Sequence, residues 1–488
     1  MPDCCAAMVR YLTLVSAMDG SASFFLLCRV LDQLRLADDR WSVGLQLFTD
    51  ADHDVARFFG LSLLRDWMQT VLVQHLAQDE ASYALANRSS IRSTIYDWIV
   101  QAISGSQGST PVYILNNAIS ILTLSIKCDY PGVWPSAFSD VLRLGYSAGD
   151  PGVDLVTRVL RELEVEVVVF AEQRSRGEVV LGVRVKDAMR DSGATRELLI
   201  FLGWAARQCS PQRPDLAASC LLCAAELIGW VDVQLVVQEV LPTVYEFWRG
   251  SAVPAVVQSA ACSCMCELVR KGMDAAAKVR LLHSVQLIAA ISENAIMSEL
   301  LAAAPQAPLA SIDDMGKWKQ LGHLLSLLVV ELMGSWTAYE QDVVDAMRSG
   351  GAVGGDYAAL APIVVSSLDY VVPRLLSMLC LPAGSEVSSA VLPGCGRLVH
   401  LMRLQSQHRD QLASLGRRGV ALFCADQFLD PLLRGIYLQS HYPESCDGEG
   451  EMVEEDDDDE LQVRRWSPSA CLSVCMSVCM LCGFFATG

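Results

Sequence analysis

Lysine is close to missing from this chain, with six residues among 488 against 31 arginines. Codon usage accounts for such a bias as readily as a need for the planar arginine fork that suits phosphate, and both readings stay open. The formal net charge of −19 argues against a wholly basic nucleic-acid binder, while leaving room for local basic patches. Aromatic residues are scarce at 7%, so any core is built mainly from Leu, Val, Ala and Ile. Charged residues reach only 19% against 52% hydrophobic, which excludes disorder over most of the length. The seven histidines (His53, His75, His283, His323, His400, His408, His441) are scattered, and none shares metal-ligand spacing with Cys or Glu. No phosphate-cradling glycine loop is present, and no cofactor is expected. A secretory leader is not expected, because the apolar run Tyr11–Met18 is short and lacks a basic flank.

Two short motifs mimic catalytic or metal chemistry. Gly145-Tyr146-Ser147-Ala148-Gly149 fits a nucleophile elbow, but that chemistry needs a strand before the serine. Here a helical stretch precedes it and Asp150-Pro151-Gly152 opens another, so a turn between helices is expected. Cys220-x-x-Cys223 is half a zinc or redox motif, with no second pair or nearby histidine to complete it. The 18 cysteines mostly interrupt apolar helical stretches, where free thiols act as small hydrophobes in a reducing compartment. Asn87-Arg88-Ser89 then matches a glycosylation sequon by chance. No enzyme is expected.

Helical periodicity, by contrast, recurs along the chain. Leu61, Leu64, Met68, Val71 and Leu72 share a face, as do Val112, Leu115, Ile119, Leu122 and Ile126. Leu155, Val159, Leu163 and Val167 form a third stripe. Leu216, Cys220, Cys223 and Leu227 form a fourth, and Val257, Ala261, Cys264 and Leu268 repeat its spacing. Short breaks rich in Pro, Gly, Ser or Asp separate the stripes at 129–135, 148–152, 210–214 and 303–308. Helix pairs succeeding one another about every 40 residues predict an all-α, HEAT-repeat α-solenoid. Two stretches depart from this pattern. Val165–Val185 is rich in Val around Arg176-Gly177 and is expected to be a loop or strained helix end, with a small hairpin as the other reading. Gly350–Gly355 is expected to be a flexible connector. Eleven acidic residues crowd Glu444–Glu460 without one Lys or Arg, so outside this tract the net charge is only −8. It is either a solvated loop or an arm for a basic partner. The final stretch, 469–488, is apolar and Cys-rich, unlike anything before it.

Read in order, these segments resemble the exportin-T family of tRNA-exporting karyopherins. The likeness is carried by HDVARFFGLSLLRDW (His53–Trp67), DYPGVWPSAFSDVL (Asp129–Leu142), GVDLVTRVLRELEVEV, VRVKDAMRD (Val183–Asp191) and IGWVDVQLV (Ile228–Val236). ACSCMCELVRKGMDAAAKVRLL (Ala261–Leu282) is the most specific of them, and Val391–Leu412 and EGEMVEEDDDDELQVRRW extend the likeness to about residue 466. The resemblance implies a non-enzymatic nuclear export receptor, shuttling between nucleus and cytoplasm with mature tRNA, the GTP form of Ran GTPase and nuclear pore proteins as partners. No membrane insertion is expected. It further implies a Ran-binding region of repeats at 1–140, continued HEAT-type repeats at 141–445, an acidic loop at 446–460, and a repeat start ending in an aberrant, truncating tail at 461–488. Asp54, Arg57 and Phe58 lie in the GTPase-binding neighbourhood, although Asp54 as a helix cap and Phe58 as core are the plainer reading. Glu454, Glu455, Asp456 and Asp457 are the acidic-loop candidates. Arg403, Arg409, Arg417 and Arg418 are candidates for tRNA phosphates, or else solvated helix faces. A helical scaffold or a karyopherin for protein cargo is the alternative function.

Overall fold

The computed structural model describes residues 39–51, 53–75, 82–105, 110–167, 176–294, 312–350, 355–380, 386–414 and 425–440. Every regular element among them is helical. The tail, the acidic tract and Arg417 and Arg418 lie outside the described residues.

The chain divides into two compact bodies, with the border after Ala205. The first contains α1 (Arg40–Asp50), α2 (Asp54–His75), α3 (Ser82–Ile103), α4 (Val112–Asp129), α5 (Ala137–Ser147), α6 (Asp150–Val167), α7 (Arg176–Asp191) and most of α8 (Ala194–Cys209). Alternate helices stack here, α2 on α4 and α4 on α6, while α1, α3 and α5 each pack against the following member of that layer. The second body holds α9 (Pro214–Ile228), α10 (Leu241–Arg249), α11 (Ala255–Arg270), α12 (Ala275–Ser284), α13 (Leu287–Ser292), α14 (Ile312–Ser349), α15 (Gly355–Leu379), α16 (Glu386–Ser414) and α17 (Leu429–Ser440). There α9 packs on α11, α11 on α14 and α14 on α16. A layer made of every second helix, with the intervening helices outside it, is how stacked helix pairs of a HEAT-like solenoid bury their cores.

The stripes explain these contacts. Leu61, Leu64, Met68, Leu216, Cys220, Cys223, Val257, Ala261 and Cys264 are all buried. Val112, the first residue of α4, stands exposed where the helix begins, and Leu115 and Val167 are only half-buried. The expectation for 165–185 fails over 165–167, which end α6, and over 176–185; 168–175 lie outside the described residues. Arg176-Gly177 opens α7, in which Val185 and Met189 are fully buried, so tertiary packing overrides the β-preference of the valines. Of the predicted connector, Gly350 has φ +70° and Gly355 already begins α15; 351–354 lie outside the described residues.

The elbow-like motif is a turn between helices. Gly149, at φ +62°, separates α5 from α6. At Gly145 a Cβ would come within 2.6 Å of the Phe201 ring, so glycine there permits helix packing and has no bearing on a nucleophile. The cysteines of α9 and α11 meet across one interface, where the Cys264 thiol donates to the Leu221 carbonyl at 3.1 Å. Burial pushes the Cys264 thiol well up, so it is held as a neutral hydrophobe. Asn87 and Arg88 of the sequon are buried. Helices α14 and α15 are long and apolar enough to cross a membrane, yet they pack on each other and on α16. The outward positions of α15 are small or polar, among them Ser366, Asp369 and Ser377.

Candidate interaction faces

The family-like motifs turn out to be junctions of the fold. Asp129, at the end of α4, is fully buried and faces two arginines of α3: Arg88 Nε at 3.2 Å and Arg92 Nη1 at 2.5 Å. Arg92 also lies over the Trp134 ring, whose indole N–H donates to Asp140 at 2.9 Å. Tyr130 is hydrogen bonded to Ser192 at 2.6 Å and donates to the Ala188 carbonyl at 3.2 Å. Asp-Tyr-Pro-Gly-Val-Trp thus ties three helix pairs together. The Arg-Lys-Gly-Met-Asp element does the same in the second body. Lys271 donates to the carbonyls of Ile228, Gly229 and Val231 at the end of α9, at 2.7, 3.3 and 2.7 Å. Asp274 caps α12 by accepting from the Ala277 amide at 3.1 Å.

With those residues committed to the scaffold, the surface of the α2–α4–α6 layer is the better place for an interface. Its rungs run from apolar to charged. Phe58 of α2 meets Tyr113 of α4 edge to face, with ring centroids 5.6 Å apart. Asn116 of α4 accepts from Arg158 of α6 at 2.6 Å, and Arg158 is also held by Asp154 at 2.7 Å. Ser120 donates to Glu162 at 2.8 Å, and the buried Lys127 pairs with Glu166 at 2.7 Å. At the apolar end Val55, Phe58, Val112 and Tyr113 are 66, 38, 59 and 46% exposed.

Of the residues picked out in the sequence, Asp54, Arg57 and Phe58 sit together on the first turns of α2. Asp54 pairs with Arg57 at 3.7 Å, a half-exposed pair three residues apart. Phe58 is not core, contrary to the plainer reading. The structure adds Tyr113, Val112 and Val55, none of which had been singled out as surface. The available signal was that Tyr113 falls outside the apolar stripe of its own helix, where a large aromatic has no packing role. Arg403 stands exposed on α16, and Arg409 lies further along the same helix. Glu454, Glu455, Asp456 and Asp457 lie outside the described residues. Among the described residues no three His, Cys, Asp or Glu side chains are placed to hold a metal ion.

Known proteins give this arrangement a context. Residues 111–265 match the family model described as Exportin 1-like protein. Exportin-T of Dictyostelium discoideum is 23% identical over 304 residues, covering 62% of this chain and 25% of the relative. Exportin-T of Arabidopsis thaliana is 26% identical over 238 residues, 47% of this chain and 24% of its own length. For Exportin-T of Mus musculus the figures are 22% over 378 residues, 76% and 35%. The matches thus span about a quarter to a third of these curated relatives. Over the stretches they share, the chain is similar to the exportin-T proteins, and residues 111–265 carry the exportin 1-like match.

Proposed function

We propose that this chain acts in nuclear export of tRNA, binding mature tRNA cooperatively with the GTP form of Ran GTPase and passing nuclear pore proteins as it shuttles between nucleus and cytoplasm. The observation that carries this reading is the likeness to proteins named Exportin-T from amoeba, plant and mouse alike, across 62, 47 and 76% of the chain. The chain is a carrier, with no catalytic residue and no cofactor in its role. In this reading the α2–α4 end of the first layer meets the GTPase, through Asp54, Arg57 and Phe58. Arg403, Arg409, Arg417 and Arg418 serve tRNA phosphates, and the acidic residues from Glu454 to Asp457 face a basic partner surface. Affinity for tRNA must rise when the GTPase binds, and the coupling is necessarily reciprocal. A carrier of all mature tRNAs reads backbone shape more than sequence.

Capture of the full chain on immobilised Ran tests the proposal. Retention on the GTP form alone is expected, strengthened by added tRNA. Phe58→Ala should weaken capture by about tenfold or more, as loss of a central aromatic contact does. Equal retention on the GDP form would refute the reading. GTP-selective capture that tRNA leaves unchanged, and that a protein cargo enhances, would move the chain to the protein-carrying karyopherins.

A further inference from the structure

A groove of about 590 Å³ lies between α5 and α8, within the size range of ligand pockets. Its lining residues all precede the border after Ala205, so it belongs to the first body. Ser139, Leu142, Arg143 and Tyr146 share one side of α5, and Glu197 and Ile200, a turn apart on α8, face them. Leu142 is buried at the bottom, whereas Tyr146 and Ile200 are 47 and 41% exposed. Folding does not require that exposure of Ile200, because Leu198, Leu199, Phe201 and Leu202 already bury the core side of α8. The ring of Tyr146, the second residue of the elbow-like motif, is fixed in place. It meets Phe201 edge to face with centroids 4.9 Å apart, and Trp204 at 4.8 Å. The rim carries one carboxylate without a cation. Arg143 is held by Asp140 at 3.0 Å, but Glu197 forms no ion pair among the described residues. Arg196, just before it, is turned about 100° round the helix. The Glu197 charge does reach Tyr146, whose hydroxyl is held above its ordinary range first by partial burial and then by this carboxylate.

We propose that the α5–α8 groove docks a short basic and apolar segment of a partner protein, seating one large apolar side chain on Leu142, Tyr146 and Ile200 and placing a Lys or Arg side chain against Glu197. The site is built by other helices than the α2–α4 end and does not rest on the export reading. Charge complementarity selects this occupant. An acidic segment would meet Glu197 as a like charge, because Arg143 is already neutralised by Asp140. A wholly apolar segment would take water from the Glu197 carboxylate and return no partner to it. A basic segment supplies that partner, and the net charge of −19 favours its approach from a distance. The stacked rings of Tyr146, Phe201 and Trp204 form a rigid seat, so little ordering is needed on this side of the contact. A contact limited to one or two side chains is weak and quickly released.

The test is fluorescence anisotropy of a labelled peptide, Gly-Lys-Leu-Phe-Lys-Gly, titrated with the full chain. The same peptide with both lysines replaced by serine, or by glutamate, is titrated beside it. The basic peptide should bind about three- to fivefold tighter than the serine peptide, the range of an exposed charge pair, and the glutamate peptide weakest of all. Glu197→Gln should remove the advantage of lysine over serine, and Glu197→Lys should turn the preference towards glutamate. Ile200→Ser should weaken the basic and serine peptides alike by about three- to tenfold, through lost apolar contact. Both side chains are exposed, and unchanged thermal unfolding will show that each variant folds. Binding of the basic peptide that either Glu197→Gln or Ile200→Ser leaves unaltered would overturn the proposal, and if neither alters it the peptide sits on the acidic tract at Glu444–Glu460 instead. Equal binding of the basic and serine peptides would make the groove an apolar seat without charge selection and overturn it as well. Failure of all three peptides to bind overturns it too. None of these variants touches Asp54, Arg57 or Phe58, so capture on Ran judges the export reading separately.

Discussion

Asp129→Asn removes the anion that, among the described residues, compensates Arg88 and Arg92 of α3. The Asp129 side chain is 0% exposed and that of Arg88 1%, with Nε and Oδ1 3.2 Å apart. At an effective dielectric of about 20 that separation corresponds to roughly 5 kcal/mol of attraction. Desolvation costs several kcal/mol per ion, so the pair contributes little net stability. Taking away one partner is a different matter. It leaves a buried guanidinium uncompensated, and the expected loss is about 3–5 kcal/mol. A domain's whole stability is of order 5–15 kcal/mol, so opening of the first body should become readily measurable. Because the two bodies need not unfold together, hydrogen exchange resolved to α3 and α4 is the better assay than a global melt. The same logic predicts recovery when the two fully buried charges are removed together: Arg88→Met with Asp129→Leu should regain most of the loss, since Arg92 is partly exposed and keeps its place over Trp134. Asp129→Asn costing under about 1 kcal/mol, or a double variant as weak as the single one, would show that the junction is solvated rather than buried.

Other expectations follow from the same contacts. Lys271→Met should release three carbonyls at the end of α9 at a cost of about 1.5–3 kcal/mol, read as faster exchange of the α9 and α11 amides. Glu340→Leu strands the buried indole of Trp336 and amide of Gln405, at about 1–3 kcal/mol each, whereas Glu340→Gln keeps a carbonyl acceptor and should cost less than half as much in denaturant titration. Burial pushes the Cys128 and Cys395 thiols up to about 12, so at about pH 8 an alkylating reagent should leave both unlabelled in the native protein and reach the half-buried Cys380 sooner. Since the folded state holds those protons more tightly than the unfolded chain does, stability should fall as pH rises above the ordinary thiol value of about 8.5.

The helices were legible because their cores repeat at helical spacing. Leu61, Leu64 and Met68, or Leu216, Cys220 and Cys223, declare a buried face without help from anything distant. What each motif does was not legible, because its partners lie elsewhere in the chain. Asp129 is explained by Arg88 and Arg92, about 40 residues earlier, and Lys271 by carbonyls just as far before it. The helix at Arg176–Asp191 was hidden by local valine preference, which packing of Val185 and Met189 overrides. The exposure of Phe58 depends on where α4 begins, and its stacking partner Tyr113 is 55 residues away.

Arginine pairing separates scaffold from surface in a way that composition could not. An excess of arginine over lysine leaves codon usage and phosphate recognition equally open. Position adds what the count lacks, because a helical arginine with an acid one turn before it spends its charge locally, worth only a few tenths of a kcal/mol. Such a residue is poorly placed to grip a polyanion, since its own carboxylate would have to be displaced or would repel the ligand. Arg57 on α2, Arg143 on α5, Arg158 on α6, Arg190 on α7 and Arg270 on α11 are of this kind, so their charge serves the scaffold first.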